Sequence, residues 1–356
     1  MKFAKDTLSR GQNLILFSPR RYGKTSLIKK TLEQLGKQNI EVFYFDLYKI
    51  ATIDRFYSYY ANAVMPRIKS PVAKMLGQLK AFIPSLNPKI EFSDPDVPNV
   101  KLNLELSNIT NPQTCHELLS LIENYAKKKK KKACVVFDEF QEIVNMEEGD
   151  LLEKEMRSAF QHHTHVTYAF LGSKHHLMNE LFKDKNRPFY NFGSHFELNP
   201  IENQEWNLFF KKMFKKGGYK ITDELSESIV SYTRGHPHYT QMLASELWAL
   251  YEEDNQLSTD CITQILASVL QKEQYAYEQI WDMLNARQRV VLEAVARENV
   301  AEVYSKDFIQ KYHLGTPATI QRAVQKMIKM DILTKKRDKF IIVDPIFSYW
   351  LVQGYE

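Results

Sequence analysis

The sequence predicts an α/β fold built on a five-stranded parallel sheet, followed by an all-helical region and a small C-terminal winged helix. Five short apolar runs are typical of buried strands, helical patterns lie between them, and these runs stop at Pro200. Four of the runs are nearly continuous, as a strand covered on both faces requires. Alternation of strands and helices then predicts right-handed crossovers. The strand segments are "NLILFSP" (13–19), "EVFYFDL" (41–47), "ACVVFDE" (133–139), "VTYAFLG" (166–172) and "HFELNP" (195–200).

The composition is that of a folded chain and argues against a membrane protein. Hydrophobic residues make up 44% and charged residues 26% of the sequence, which is ordinary for a globular protein. No apolar run approaches the ~20 residues that cross a bilayer, and "MKFAKDTLSRGQ" lacks the apolar core of a signal peptide. The net charge of +5 permits a nucleic-acid partner without demanding one. Cys115, Cys134 and Cys261 show no metal-ligand spacing, which favours a cytoplasmic location.

Two segments interrupt the alternation of strands and helices. Residues 84–112 are rich in proline, and "KIEF" and "KLNLEL" alternate polar and apolar residues around "SDPDVPN". This pattern predicts a β-hairpin inserted between the second and third strands of the sheet. The lysine run 127–132 has two interpretations: a solvated loop after a helix, or a loop that contacts phosphate or nucleic acid.

The C-terminal part of the chain has helical periodicity and then a mixed pattern. Four segments of residues 201–285 repeat apolar positions at helical spacing. From residue 286, two short helices precede "TPATIQRAVQKMIKM", in which Thr316 is the expected N-cap and Pro317 the first helical residue. "DILTKKRDKFIIVDP" then predicts two strands that turn at "KRDK". Three helices and such a wing form a winged helix over 286–356.

The segment "FSPRRYGKTSL" (17–27) resembles a phosphate-binding loop, with Ser18 at the position where the pattern G-x-x-x-x-G-K-[ST] has its first glycine. A buried strand before it and a helix after it favour this interpretation over a basic turn that happens to contain Gly-Lys-Thr. Lys24 would bridge the β- and γ-phosphates, and the Thr25 hydroxyl would bind Mg²⁺. Arg20 and Arg21 either face solvent or neutralise phosphate charge. The candidate nucleotide-binding residues are Ser18, Pro19, Arg20, Arg21, Tyr22, Gly23, Lys24, Thr25 and Ser26.

Polar residues at the ends of two later strands complete the candidate site. Asp138 follows the apolar residues of "CVVFDEF" and would orient Mg²⁺ through water, while Glu139 would polarise the attacking water. The alternative for Asp138 is the N-cap of a helix. Ser173 follows "FLG" at the carboxyl end of the next strand and would contact the γ-phosphate or the water. The alternative for Ser173 is a strand-ending turn.

Taken together, these segments resemble the archaeal-ATPase clade of AAA+/STAND P-loop ATPases. The matching segments are "SPRRYGKTSLI", "VVFDEFQEI", "RSAFQHH…YAFLGSKHHLM", "RPFY", "TRGHPHYTQML" and "VDPIFSYWL". The resemblance implies an α/β P-loop NTPase core over 1–200, a helical lid over 201–285 and the winged helix, with ATP and Mg²⁺ as ligands. It also implies that Gly235, His236 and Pro237 form the lid's G-x-P element beside the nucleotide. The residues alone indicate a helix-ending turn there.

Two departures from the family pattern affect the expected site. Many relatives have roughly 20 more residues before the first strand, including an aromatic–Arg–Glu element near adenine, so we expect either an incomplete adenine pocket or a shifted start. Phe192 occupies the position where family members often have an arginine. Arg187 or Arg157 would then supply the positive charge. Without a well-placed arginine, slow hydrolysis is expected.

The sequence therefore predicts a Mg²⁺-dependent ATPase that acts as a nucleotide-driven conformational switch. Two rivals remain: a DNA-binding, initiator-like regulatory ATPase, and a signalling scaffold that holds ATP with little turnover and binds a protein partner or further copies of itself. Residues 281–356 carry 12 Lys and Arg against 9 Asp and Glu, a net charge of +3 that is small for DNA binding. The basic residues that would contact phosphates are Arg322, Lys326, Lys329, Lys335, Lys336, Arg337 and Lys339.

Overall fold

The computed structural model describes residues 1–64, 67, 89–92, 102–105, 111–253, 261–298, 302–336 and 339–353. The chain divides into two compact units. The first consists of Met1–Arg20 and Lys24–Leu198, and the second of Arg21–Gly23 and Asn199–Glu356. Among the described residues, no helix has the length and apolarity needed to traverse a bilayer.

The first unit alternates strands and helices along the chain. Its elements are α1 (Lys2–Ser9), β1 (Leu14–Phe17), α2 (Lys24–Lys37), β2 (Glu41–Asp46), α3 (Ile53–Val64), β3 (Lys89–Phe92), β4 (Leu102–Glu105), α4 (Pro112–Leu119), α5 (Leu121–Lys129), β5 (Ala133–Asp138), a 3₁₀ helix (Phe140–Asn145), α6 (Gly149–Phe160), β6 (Val166–Gly172), α7 (His175–Lys183) and β7 (Ser194–Glu197).

The five expected core strands form one parallel sheet in the order β2-β5-β6-β1-β7. The prediction of a five-stranded parallel sheet is confirmed. Successive side chains along a strand point to opposite faces. Accordingly, Ile15 and Phe17 pack in the core on one face, and Leu14 and Leu16 pack with Ile28 of α2 on the other. Burial on both faces explains why the three central strands β1, β5 and β6 appear in the sequence as continuous apolar runs, whereas the edge strands β2 and β7 are only partly buried.

The two interrupting segments take the following form. β3 pairs antiparallel with β4, and the residues between these strands lie outside the described part of the chain. In the lysine run, residues 127–129 belong to the last turn of α5 rather than to a loop, and Lys130 ends the helix in a left-handed conformation. The Lys131 amine pairs with Glu41 Oε1 at 2.8 Å. This part of the run therefore has a structural role beside β2.

The second unit is helical up to its small antiparallel wing. Its elements are α8 (Asn203–Lys216), α9 (Asp223–Thr233), α10 (Pro237–Glu253), α11 (Cys261–Asp282), α12 (Ala286–Glu298), α13 (Lys306–Lys311), α14 (Pro317–Lys329), β8 (Leu333–Lys336), β9 (Lys339–Ile342) and α15 (Pro345–Gln353).

The C-terminal segment has the expected winged-helix elements. Helix α14 begins at Pro317 with Thr316 as its N-cap, although the Thr316 side chain accepts no capping hydrogen bond. Strands β8 and β9 pair antiparallel, and the predicted turn residues Arg337 and Asp338 lie outside the described residues. Helix α15, which we did not expect from the sequence pattern, packs Phe347 and Trp350 into the same core as residues of α10 and α11.

Asp344 joins the winged helix to the helices before it. Its Oδ1 accepts hydrogen bonds from the backbone N–H groups of Ile346 and Phe347 at the start of α15, at 2.8 and 3.0 Å. Its Oδ2 accepts from the hydroxyls of Tyr239 at 2.5 Å and Tyr277 at 3.2 Å. Burial raises the pKa of the Asp344 carboxyl, and these hydrogen bonds oppose that shift. Residues 199–285 and the winged helix therefore share both a core and a buried polar network.

Candidate phosphate-binding site

The loop between β1 and α2 has the backbone geometry of a tight turn that enters a helix. Gly23, which directly precedes α2, has φ +82°, and Arg21 has φ +64°. A glycine adopts this left-handed conformation without steric cost. Ser18 is fully buried and is not among the residues with positive φ. The first position of the loop therefore does not need glycine's conformational freedom, and a small side chain is accommodated there.

Lys24 turns back into this loop. Its side chain is only 5% exposed, and its Nζ donates to the carbonyl oxygens of Ser18 at 3.2 Å and Pro19 at 3.3 Å. A buried ammonium group needs such acceptors because leaving it without them is costly. The loop thus holds a positive charge at the N-terminus of α2, where the helix dipole also favours an anion.

Thr25 and Asp138 meet at the ends of two elements that are far apart in sequence. The Thr25 hydroxyl donates to Asp138 Oδ2 at 2.7 Å, and the Tyr44 hydroxyl donates to the same oxygen at 2.6 Å. The backbone N–H of Glu139 donates to Oδ1 at 3.0 Å. Asp138 is 3% exposed, and these three donors satisfy a carboxylate that water hardly reaches.

Glu139 and Ser173 also form a direct contact. The Ser173 hydroxyl donates to Glu139 Oε2 at 2.6 Å. Gln141 binds both residues: its Nε2 donates to Glu139 Oε2, and its Oε1 accepts from the Ser173 backbone N–H at 3.2 Å. Glu139 has a left-handed backbone with φ +52°, a conformation often found at functional sites in residues other than glycine. A Cβ on Gly172 would lie 2.6 Å from Gln141 Oε1, so the glycine leaves room for this amide.

The second unit contains the Gly235-His236-Pro237 turn. Gly235 has φ +69°, and a Cβ there would lie 2.2 Å from the carbonyl oxygen of Ile201. The position therefore requires glycine. His236 is 3% exposed, and burial lowers its pKa to about 4, so that the ring is neutral at neutral pH. In the same unit, the Tyr22 ring lies 4.4 Å from the His236 ring, and Arg21 Nη1 lies 3.2 Å from His238 Nε2.

The two arginines considered in place of the family's arginine are both engaged by structural partners. Arg187 pairs with Glu153 at 2.7 Å and Asp150 at 3.2 Å. Arg157 donates from Nε to the carbonyl oxygen of Pro188 at 3.0 Å, and its guanidinium lies 4.7 Å from the ring centroid of Phe192. These contacts fasten α6 to the segment before β7.

The donor set of the first unit suits Mg²⁺ bound together with phosphates. Among the described residues, no group of three or more His, Cys, Asp or Glu side chains is arranged to hold a metal ion. Mg²⁺ does not require such a group, because it keeps several waters and is bound through one or two protein oxygens plus substrate phosphates. The Thr25 hydroxyl and the Asp138 carboxylate, in contact at the start of α2, are oxygens of this kind.

Of the residues in these two clusters, sequence reasoning named Thr25, Asp138, Glu139 and Ser173 but not Tyr44 or Gln141. Tyr44 appears in the sequence as one more residue of an apolar strand, and its proximity to Asp138 depends on the register of β2 with β5. Gln141 follows "FDEF" directly in the sequence, and its complete burial is a finding of the structure that the sequence pattern does not indicate.

The loop, the acidic strand end and the parallel sheet define the class of Walker-type P-loop proteins. A model of the ATPase domain predominantly from Archaea matches residues 2–243, and a model of a probable winged helix domain matches residues 275–353. The chain belongs to this family of archaeal-type ATPase domains, and it carries a C-terminal winged helix.

Solved structures of archaeal proteins share the fold at low sequence identity. The Walker-type ATPase PABY2304 of Pyrococcus abyssi is 18% identical, with a TM-score of 0.66 over 98% of this chain and 93% of its own. The ORC2 protein of Aeropyrum pernix is 13% identical in its ADPNP–ADP complexes, with a TM-score of 0.53 over 99% of this chain and 90% of its own. No curated protein sequence matches the chain.

Proposed function

We propose that the protein is a Mg²⁺-dependent ATPase of the AAA+/STAND type that acts as a nucleotide-driven conformational switch in the cytoplasm. The observation that carries the proposal is the contact of Thr25 with Asp138, 2.7 Å long across 113 positions of sequence. Two further observations support it: Lys24 is buried in the loop between β1 and α2, and Glu139 accepts a hydrogen bond from Ser173. The core, helical lid and winged helix would be residues 1–200, 201–285 and 286–356.

Five residues of the first unit have definite tasks in this proposal. The Lys24 amine exchanges the carbonyl oxygens of Ser18 and Pro19 for the β- and γ-phosphate oxygens. Thr25 and Asp138 would hold Mg²⁺, which would supply positive charge against the negative charge of the phosphates. Glu139 accepts a proton from, or polarises, the attacking water. Ser173 contacts the γ-phosphate or that water, and so exchanges its present partner, Glu139.

The geometry also gives a reason to expect regulated turnover. Glu139 is held at Oε2 by both the Ser173 hydroxyl and the Gln141 amide, so that oxygen must lose at least one of these donors before it can act on a water molecule. Arg157 and Arg187 are committed to structural contacts. Hydrolysis by the isolated chain is therefore expected to be slow, and a nucleotide or partner that rearranges these contacts would accelerate it.

The test of this proposal is metal-dependent ATP turnover by the full chain, measured in Mg²⁺ and in EDTA. We expect ATP to bind and to be hydrolysed only with the metal. Binding of ATP with no hydrolysis under any condition would favour the scaffold that holds nucleotide as a switch. Absence of ATP and ADP binding would overturn the proposal.

A second candidate function is DNA binding through the winged helix. Ile320, Ala323, Val324 and Met327 of α14 are buried, while Arg322, Lys326 and Lys329 are exposed. The basic residues therefore form a stripe on the solvent-exposed side of α14, opposite its buried side. Lys335 and Lys339 are exposed on the wing. An initiator-like or regulatory ATPase would use this surface on DNA phosphates. Turnover measured with and without duplex DNA distinguishes it from the first candidate.

A further inference from the structure

We propose that Tyr44 is a positioning residue for the Mg²⁺ site, because its hydroxyl fixes the carboxylate of Asp138. The inference rests on the proposed ATPase function and adds a residue that the phosphate-loop and acidic-strand patterns do not contain. The Tyr44 hydroxyl lies 2.6 Å from Asp138 Oδ2, the same oxygen that accepts from Thr25.

Strand register brings the two side chains together. Tyr44 of β2 is directly opposite Val136 of β5, so Asp138 is its diagonal neighbour two residues further along. Side chains two apart in a strand point to the same face, and diagonal neighbours are within reach of an aromatic side chain. Tyr44 and Val136 both pack with the core on the α2 face of the sheet, the face that carries Thr25.

The tyrosine is held in place and acts as a hydrogen-bond donor. The Lys29 amine, one helical turn beyond Thr25, lies 5.4 Å from the centroid of the Tyr44 ring. The Tyr44 hydroxyl is the donor in its contact with Asp138, and Oδ2 accepts.

Three donors fix the orientation of Asp138. The Glu139 backbone N–H binds Oδ1, and the Thr25 and Tyr44 hydroxyls bind Oδ2. Because each carboxylate oxygen accepts at least one hydrogen bond, the carboxylate plane cannot rotate without breaking one of them. Thr25 is itself an expected metal ligand, which leaves Tyr44 as the donor to Oδ2 whose only proposed task is orientation. Water is a poor substitute for it, since Asp138 is 3% exposed.

Loss of the hydroxyl should therefore weaken metal binding without damaging the phosphate loop. Groups that orient metal ligands typically contribute a factor of about 10 to 100 to metal affinity. We expect the lower end, about 10-fold, because the Glu139 and Thr25 donors remain. A purely structural tyrosine would behave differently. Tyr44→Phe keeps the ring, its packing and its contact with Lys29. If the role of the tyrosine were purely structural, this variant would bind the metal as the wild type does.

The experiment uses the full chain as wild type, Tyr44→Phe and Tyr59→Phe. Tyr59 is the matched control: its hydroxyl accepts from the Asp46 backbone N–H at the end of the same strand, at 3.3 Å, and does not touch Asp138. ADP affinity is measured by calorimetry in EDTA and over a series of Mg²⁺ concentrations, and circular dichroism checks the fold. We expect equal ADP affinity in EDTA for all three proteins, and a half-maximal Mg²⁺ concentration about 10-fold higher for Tyr44→Phe alone.

Each other outcome overturns a defined part of the account. A Mg²⁺ requirement of Tyr44→Phe equal to that of the wild type refutes the positioning role and leaves the ATPase proposal intact. A loss of ADP affinity in EDTA as well would show that Tyr44 supports the loop or the fold rather than the metal site. Failure of the wild-type chain to bind ADP, or binding that Mg²⁺ does not affect, would refute the proposed function and this inference with it.

Discussion

The hydroxyl of Ser173 donates a hydrogen bond to Glu139 Oε2 at 2.6 Å, across the carboxyl ends of β6 and β5. Both residues have a role in the proposed reaction, and here they are hydrogen-bonded to each other instead of to phosphate or water. The contact makes Ser173 a candidate both for sensing the γ-phosphate and for restraining the glutamate.

Ser173→Ala should weaken ATP binding by no more than about 10-fold, the loss of one hydrogen bond, and should lower turnover by about 10-fold or more, because an oriented polar contact in the transition state is lost. Binding is measured by calorimetry and turnover by phosphate release. Ser228→Ala is a suitable control, since that half-buried serine donates to the carbonyl oxygen of Glu224 in α9. A rise in turnover would instead mean that restraint of Glu139 is the main role of Ser173.

Lys24→Ala should abolish measurable ATP binding while the chain stays folded. The amine is expected to make charge-assisted hydrogen bonds to phosphate, and losing even one of them weakens binding by about 10- to 100-fold. Calorimetry gives the affinity, and a circular-dichroism melt reports the fold. An unchanged affinity in a folded variant would refute the assignment of the phosphate loop.

The exposed basic side of the winged helix predicts DNA binding that depends steeply on salt. Contacts to phosphates release counterions, so affinity for a duplex should fall strongly between about 50 and 200 mM salt. The variant Lys335/Lys336/Arg337→Ala should bind more weakly and show a shallower salt dependence. If the full chain does not bind duplex DNA at about 50 mM salt, or if this variant binds equally well, the winged helix is a protein-docking module.

Asp344→Ala should destabilise the second unit strongly. The carboxylate accepts from two tyrosine hydroxyls and two backbone N–H groups in a buried site, and its removal leaves these donors without an acceptor. A loss of about 2 kcal/mol or more in the free energy of unfolding is expected. Asp282→Ala, at an exposed residue that pairs with Arg289 at 3.4 Å, should change stability by less than about 1 kcal/mol. Equal urea denaturation of the two variants would show that the network contributes little.

Much of the first unit could be predicted because its signals are local. The strands β1, β5 and β6 are buried on both faces, so each is a continuous apolar run, and the loop with Gly23-Lys24-Thr25 follows β1. The ends of parallel strands meet at one edge of a sheet, which is why Asp138 and Ser173 could be associated with that loop.

What could not be predicted depends on contacts between residues distant in sequence. Tyr44 reaches Asp138 only through the register of two strands whose sequences do not specify it. Gln141 occupies space that exists because Gly172 has no side chain. Asp344 appears in the sequence as the residue before a proline, and only the packing of α15 against α10 and α11 turns it into the acceptor of a buried network.

The measurement that tests the central claim most directly is ATP binding and hydrolysis by Glu139→Gln. The amide keeps the size of the side chain and can retain its contact with Ser173, but it cannot act as a base. The account predicts wild-type ATP affinity in Mg²⁺ and a rate of phosphate release at least ~10²-fold below that of the wild type. Hydrolysis at the wild-type rate would contradict it, because the water would then be activated by a group other than the glutamate at the end of β5.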